Sequence, residues 1–105
     1  METVHVLAFI TTTHGKRQYV LDLIRAIENT VREEQGCIEY QVTIDHPDGL
    51  NFQTNIGEDS FVVVEKWASM DDLKAHAASE HMVEYGLKTK SVVEMRDIHI
   101  LRSSC

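Results

Sequence analysis

The residues of this chain best equipped for chemistry fall in one stretch: Glu65 and Trp67, then His76, His81 and Tyr85. Imidazole is the side chain that gains and loses a proton near neutral pH, so either histidine is a candidate proton acceptor. Glu65 stands in the run Phe61-Val62-Val63-Val64-Glu65-Lys66-Trp67, where a carboxylate is expensive to bury unless something compensates it. It is either one half of an ion pair with a lysine or arginine, or a pocket acid or base whose desolvation raises its proton affinity. Trp67 shares a strand face with Phe61, Val63 and Glu65 by the period of two. It is therefore either an aromatic wall for a planar ring or the largest core side chain with its N–H satisfied. His76 lies beside Leu73 and Ala77, on the apolar side of a helical segment. His81 follows Ser79, and a helix starting there would disfavour the imidazolium and keep His81 neutral. Tyr85 shares its face, four residues on. Taken singly, each histidine also fits a packed or surface role. Together they suggest a small-molecule pocket between a sheet and its helices. Their five-residue separation is not the i, i+4 spacing of a helical metal pair, which argues against zinc.

These groups need a frame. Val4, Val6, Ala8 and Ile10 alternate with His5, Leu7 and Phe9, predicting a first strand over residues 4–10 with two apolar faces. Val20, Leu23, Ile24, Ile27 and Val31 form one helical stripe, and Gly36 is placed to end that helix. Ile38, Tyr40, Val42 and Ile44 predict a second strand, closed by the turn residues His46-Pro47-Asp48-Gly49. Residues 50–60 fit either a strand extension or a mobile loop. A third strand spans 61–67. Ser69 with Asp72 three residues later predicts a helix from Met70, a further helical stretch runs over about 80–91 from Ser79, and residues 92–101 form a fourth strand. Strand, helix, strand, strand, helix, strand implies a ferredoxin-like α+β domain, an antiparallel sheet with its helices on one face. Strands one and three are apolar on both faces, and helices on one side leave the other bare. A sheet-to-sheet homodimer would cover it.

Length and charge narrow the function. A chain of 105 residues is one domain, 1–105. Its formal net charge of -7 argues against nucleic acid or an anionic membrane as partner. No apolar run reaches the roughly 18–20 residues of a membrane span. The first residues lack the basic start of a signal peptide, so a cytoplasmic protein without a disulfide between Cys37 and Cys105 is expected. GxGxxG, P-loop and GxSxG motifs are all missing, which removes support for nucleotide binding and serine hydrolysis.

The runs Glu34-Gln35-Gly36-Cys37-Ile38-Glu39-Tyr40, Phe52-Gln53, Val64-Glu65-Lys66-Trp67, Leu73-Lys74-Ala75-His76, His81-Met82-Val83-Glu84-Tyr85, Val93-Glu94-Met95 and Ile98-His99-Ile100-Leu101 resemble the antibiotic-biosynthesis-monooxygenase domain, most closely its small bacterial quinol monooxygenases. The resemblance implies a dimeric α+β barrel and oxygenation of an electron-rich aromatic such as a quinol by molecular oxygen, without cofactor or metal. On that reading His76 or His81 is the base. Trp67, Tyr85, Phe9, Phe52 and Glu65 are the substrate contacts, with Phe52 on a loop able to act as a lid. Haem-degrading members of the superfamily use an asparagine on the first strand, which this chain lacks. Two other readings share the scaffold: an isomerase or degrader of a small signalling metabolite, and a non-catalytic protein that binds a small aromatic.

Overall fold

Alternation along the two central strands decides where everything else packs. The computed structural model describes residues 2–105, in the order β1 (Val4–Thr12), α1 (Arg17–Arg32), β2 (Cys37–Thr43), β3 (Ser60–Trp67), α2 (Met70–Ala77), α3 (Glu80–Thr89) and β4 (Val93–Leu101). The strands lie in the order β2-β3-β1-β4, each antiparallel to its neighbours. This is the ferredoxin-like α+β arrangement that the strand and helix pattern implied. Val4, Val6, Ala8 and Ile10 of β1 stand opposite Trp67, Glu65, Val63 and Phe61 of β3. That inner face packs on Val20, Ile24 and Val31 of α1 and Leu73 of α2. Burial there contributes on the order of 25 cal/mol per Å² of apolar area.

The outer face carries His5, Leu7 and Phe9 opposite Lys66, Val64 and Val62. These side chains are only half-buried, and no helix of the described residues lies over them. β4 pairs with β1 along its length, yet nearly all its residues are exposed, Ile98 at 46% and Ile100 at 53% among them.

Two local details sharpen the expectation. The stretch after β3 is the expected pair of helices, divided because the chain becomes extended at Ser79. The Ser79 hydroxyl donates to the His76 carbonyl at 2.7 Å instead of capping α3. Ser69 does cap α2, accepting from the Asp72 N–H at 3.1 Å. Residues 44–59 form an irregular connection, not a strand extension. Both its ends are pinned: the Asp45 carboxylate accepts from the Ile56 and Gly57 N–H groups, and Asp59 accepts from Gly15 N–H. No helix among the described residues is long and apolar enough to cross a membrane.

Gly36 turns the chain from α1 into β2 with φ of +80°, and a Cβ there would run into the Asp72 carboxylate that helps open α2. Gly36→Ala combines left-handed strain with this collision, so a loss of about 2 kcal/mol or more is expected in urea unfolding. Gly15→Ala, at φ +77° but in open space, should cost only the strain, about 1 kcal/mol.

Candidate active site

Glu65 sits at the inner face of β3 with its carboxylate buried. The partner is not a lysine or arginine. The Trp67 indole N–H donates to Glu65 Oε1 at 2.9 Å, and His76 Nε2 lies 3.9 Å from the same oxygen. His76 reaches this position because α2 starts directly after β3 and its Leu73–His76 side faces the sheet. Its ring lies against the Trp67 indole, with centroids 4.6 Å apart and planes 34° from parallel. Its other nitrogen, Nδ1, is 2.8 Å from Glu34 Oε2, in the turn between α1 and β2. His81 Nε2 approaches the same Glu34 oxygen at 3.3 Å.

A carboxylate only accepts hydrogen bonds, so both imidazoles present N–H to Glu34. In neutral His76 this leaves the lone pair on Nε2, the nitrogen nearer Glu65. A carboxylate that fixes the tautomer of a base in this way is a recurring element of nucleophile and base activation.

His76 and Glu65 open onto a cleft of about 590 Å³, within the range of small-ligand sites. The sheet side is Val6, Ala8, Ile10 and Val63, continued by Arg96, Ile98 and Ile100 of β4. Met82, Val83, Tyr85 and Thr89 of α3 stand across from it. Tyr40 also lines the cleft, packed edge-on to His76 with centroids 5.9 Å apart. Burial pushes the Tyr85 phenol up to about 12, against the opposing charge of Arg96. Burial also raises Tyr40, helped by the Glu65 charge. Both phenols are therefore hydrogen-bond donors, not bases, near neutrality.

The expected site residues thus divide. Glu65, His76 and Tyr85 meet at the cleft. Trp67 is fully buried, 0% exposed, behind His76, so it supports the imidazole instead of forming an open wall. His81 stands behind Glu34, off the cleft lining. Phe9 is on the opposite face of the sheet, paired across from Val62 and packed on His99. Phe52 is 80% exposed in the 44–59 connection and does not line the cleft. Glu34 was not among the expected site residues. Its signal is a carboxylate just beyond the C-terminus of α1, where the helix dipole disfavours negative charge. The metal argument from spacing also changes. It assumed one continuous helix, whereas the break at Ser79 brings donor atoms of Glu34, His76 and His81 within 4.8 Å of one another. In this arrangement those atoms are engaged as hydrogen-bond partners.

The sequence profile of antibiotic biosynthesis monooxygenases matches residues 3–86. This chain belongs to that family. An Escherichia coli (strain K12) relative of the monooxygenase family, named "Probable quinol monooxygenase YgiN", is 38% identical over 99 residues, covering 92% of this chain and 94% of the relative. Two solved structures share this fold at lower identity. PA3566 from Pseudomonas aeruginosa superposes with a TM-score of 0.83 at 21% identity, over 100% of this chain and 97% of that one. Rv0793 from Mycobacterium tuberculosis gives 0.79 at 21%, over 98% and 96%.

Burial raises the proton affinity of Glu65 above the ordinary carboxylate value, while the Trp67 hydrogen bond and His76 act against that rise. The folded chain then holds this proton more tightly than the unfolded chain, whose glutamates titrate near about 4.3. Glu65 therefore contributes stability that is present below the unfolded value and lost as pH rises through the folded one. Glu65→Gln should remove this dependence. Urea unfolding across pH 4–8 should show the variant gaining on the parent as pH rises, and a constant difference would refute the assignment.

Proposed function

We propose that this chain is a cofactor-free monooxygenase that oxidises a quinol, or a similarly electron-rich aromatic, with molecular oxygen. One observation carries the reading: His76, oriented by Glu34 through Nδ1, has Nε2 on the side of Glu65, and both residues line a largely apolar cleft of about 590 Å³. The family and the name of the E. coli relative support the reaction class.

The chemistry asks little else of the protein. His76 Nε2 takes the proton of a ring hydroxyl, giving an electron-rich quinolate. The quinolate passes an electron to oxygen, and the two radicals join at a ring carbon as a peroxide. The ring carbon then gives up its hydrogen as a proton while the oxygen–oxygen bond breaks, so that one oxygen stays on the ring as a carbonyl and the other leaves with protons as water. Quinol plus oxygen gives hydroxylated quinone plus water, with all four electrons coming from the quinol. The apolar walls exclude water from the peroxide stage, and the Tyr85 phenol is a neutral donor to a ring oxygen.

General-base help is worth about 10²–10⁴-fold. In oxygen uptake with a reduced naphthoquinone, corrected for the uncatalysed rate and run with a chelator present, His76→Ala should lower kcat by about 10²-fold. Glu34→Gln should lose less, because it disturbs only the orientation of the ring. Parent rates in both variants would refute His76 as the base.

The same proposal includes a homodimer joined through the outer sheet face, giving the dimeric α+β barrel. Leu7, Phe9, Val62 and Val64 form its half-exposed centre, and Met95 and Leu101 of β4 extend it. An apolar sheet face of this extent is unusual on a monomer. Sedimentation at micromolar concentration should give twice the 12.0 kDa chain mass. Val64→Lys should shift the chain to monomer with an unchanged circular dichroism spectrum, since an unpaired charge in that interface costs several kcal/mol. A parent that sediments as a monomer would rule the dimer out.

A further inference from the structure

The cleft has two chemically different ends. Along the inner face, Glu65, Val6 and Ile100 form one rung, and Phe61, Ile10 and Arg96 form another. Four residues of strand separate them, about 13 Å at the usual rise per residue. His76 and Glu65 occupy the first end, and Thr89, Lys90 and Arg96 the second. Between them the lining is aliphatic apart from Tyr40 and Tyr85.

Most of the other cations in the chain are engaged. Arg25, Arg32, Lys66, Lys88 and Arg102 each lie beside a carboxylate. Arg17 is spent on the Gly57 and Ser60 carbonyls. Arg96, Lys90, Lys16 and Lys74 have no carboxylate within salt-bridge distance among the described residues, although acidic residues outnumber lysine and arginine 17 to 10, and of these four only Arg96 and Lys90 line the cleft. Lys90 has a structural reason for its place, because it ends α3, where the helix dipole favours a positive charge. Arg96 has none: it projects from an open strand into the cleft, on the face opposite its neighbour Asp97.

We propose that Arg96, assisted by Lys90, forms an anion subsite, and that the substrate is a fused-ring quinol carrying a carboxylate. This proposal rests on the oxygenase reading for the word quinol, but the subsite itself is a matter of binding. Guanidinium offers a planar fork of donors that fits a carboxylate two-pronged. With the carboxylate on Arg96, the rings extend along the aliphatic wall and the hydroxyl end points to His76. A 13 Å separation, shortened by the reach of the arginine and histidine side chains, suits two fused rings better than one.

The sole tryptophan, Trp67, lies against His76, so quenching of its fluorescence reports occupancy without turnover. The probes are an oxidised naphthoquinone carboxylate and the same naphthoquinone without the carboxylate. The parent protein should bind the carboxylated quinone about 5–10-fold more tightly at low salt, and added salt should shrink the preference. Arg96→Gln should abolish the preference and leave affinity for the neutral quinone unchanged. A parent without preference, a preference that survives Arg96→Gln, or no binding of the carboxylated quinone at millimolar concentration would each overturn the subsite. If the carboxylated quinone binds with the expected preference but neither reduced probe consumes oxygen, the subsite stands and the oxygenase reading fails.

Discussion

A carboxylate buried in the middle of an apolar sheet face is the constraint around which this domain is organised. Burying Glu65 bare would cost several kcal/mol. Relief comes from two directions: the Trp67 indole two residues along the same strand, and the His76 ring placed above it by α2. The second requires α2 to begin at once after β3, which the Ser69 cap secures. His76 in turn needs a partner for Nδ1, and Glu34 supplies it from the turn between α1 and β2. One unfavourable burial therefore ties together the turn after the first helix, the third strand and the second helix.

That arrangement also sets the character of the cleft. Acid, imidazole and acid lie in sequence, Glu34 to His76 to Glu65, with the outer acid fixing the ring and the inner one sharing its far side. The phenols of Tyr40 and Tyr85 stay neutral in the same space, because burial raises both. That leaves His76 and Glu65 as the groups of this end of the cleft able to accept protons.

The frame of this protein is legible in its sequence because period-two and helical patterns survive from residue to residue. Alternation in β1 and β3, the stripe of α1 and the Ser69 cap all read through to the structure. Which face a residue occupies follows from the same period, and Phe9 fails as a cleft residue for that reason: it is one position out of phase with Ala8 and Ile10. Glu34, by contrast, meets His76 across 42 positions of chain. No local pattern reports such a contact, beyond the oddity of an acid past a helix C-terminus. The start of a second helical stretch at Ser79 is legible, but the Ser79 hydroxyl goes back to the preceding helix instead of capping α3. Tyr40 reads as an ordinary strand residue until the sheet places it beside His76.

β4 contributes none of the buried hydrophobic residues of the core, which come from the other three strands and from α1 and α2. It nevertheless supplies one wall of the cleft through Arg96, Ile98 and Ile100. Stability and ligand choice are thereby assigned to different parts of the same sheet. Substitutions at Arg96, Ile98 and Ile100 can reshape what the cleft accepts without removing a buried core side chain, whereas the His76 end is bound into that packing. A scaffold divided in this way is free to drift in substrate while conserving its chemistry.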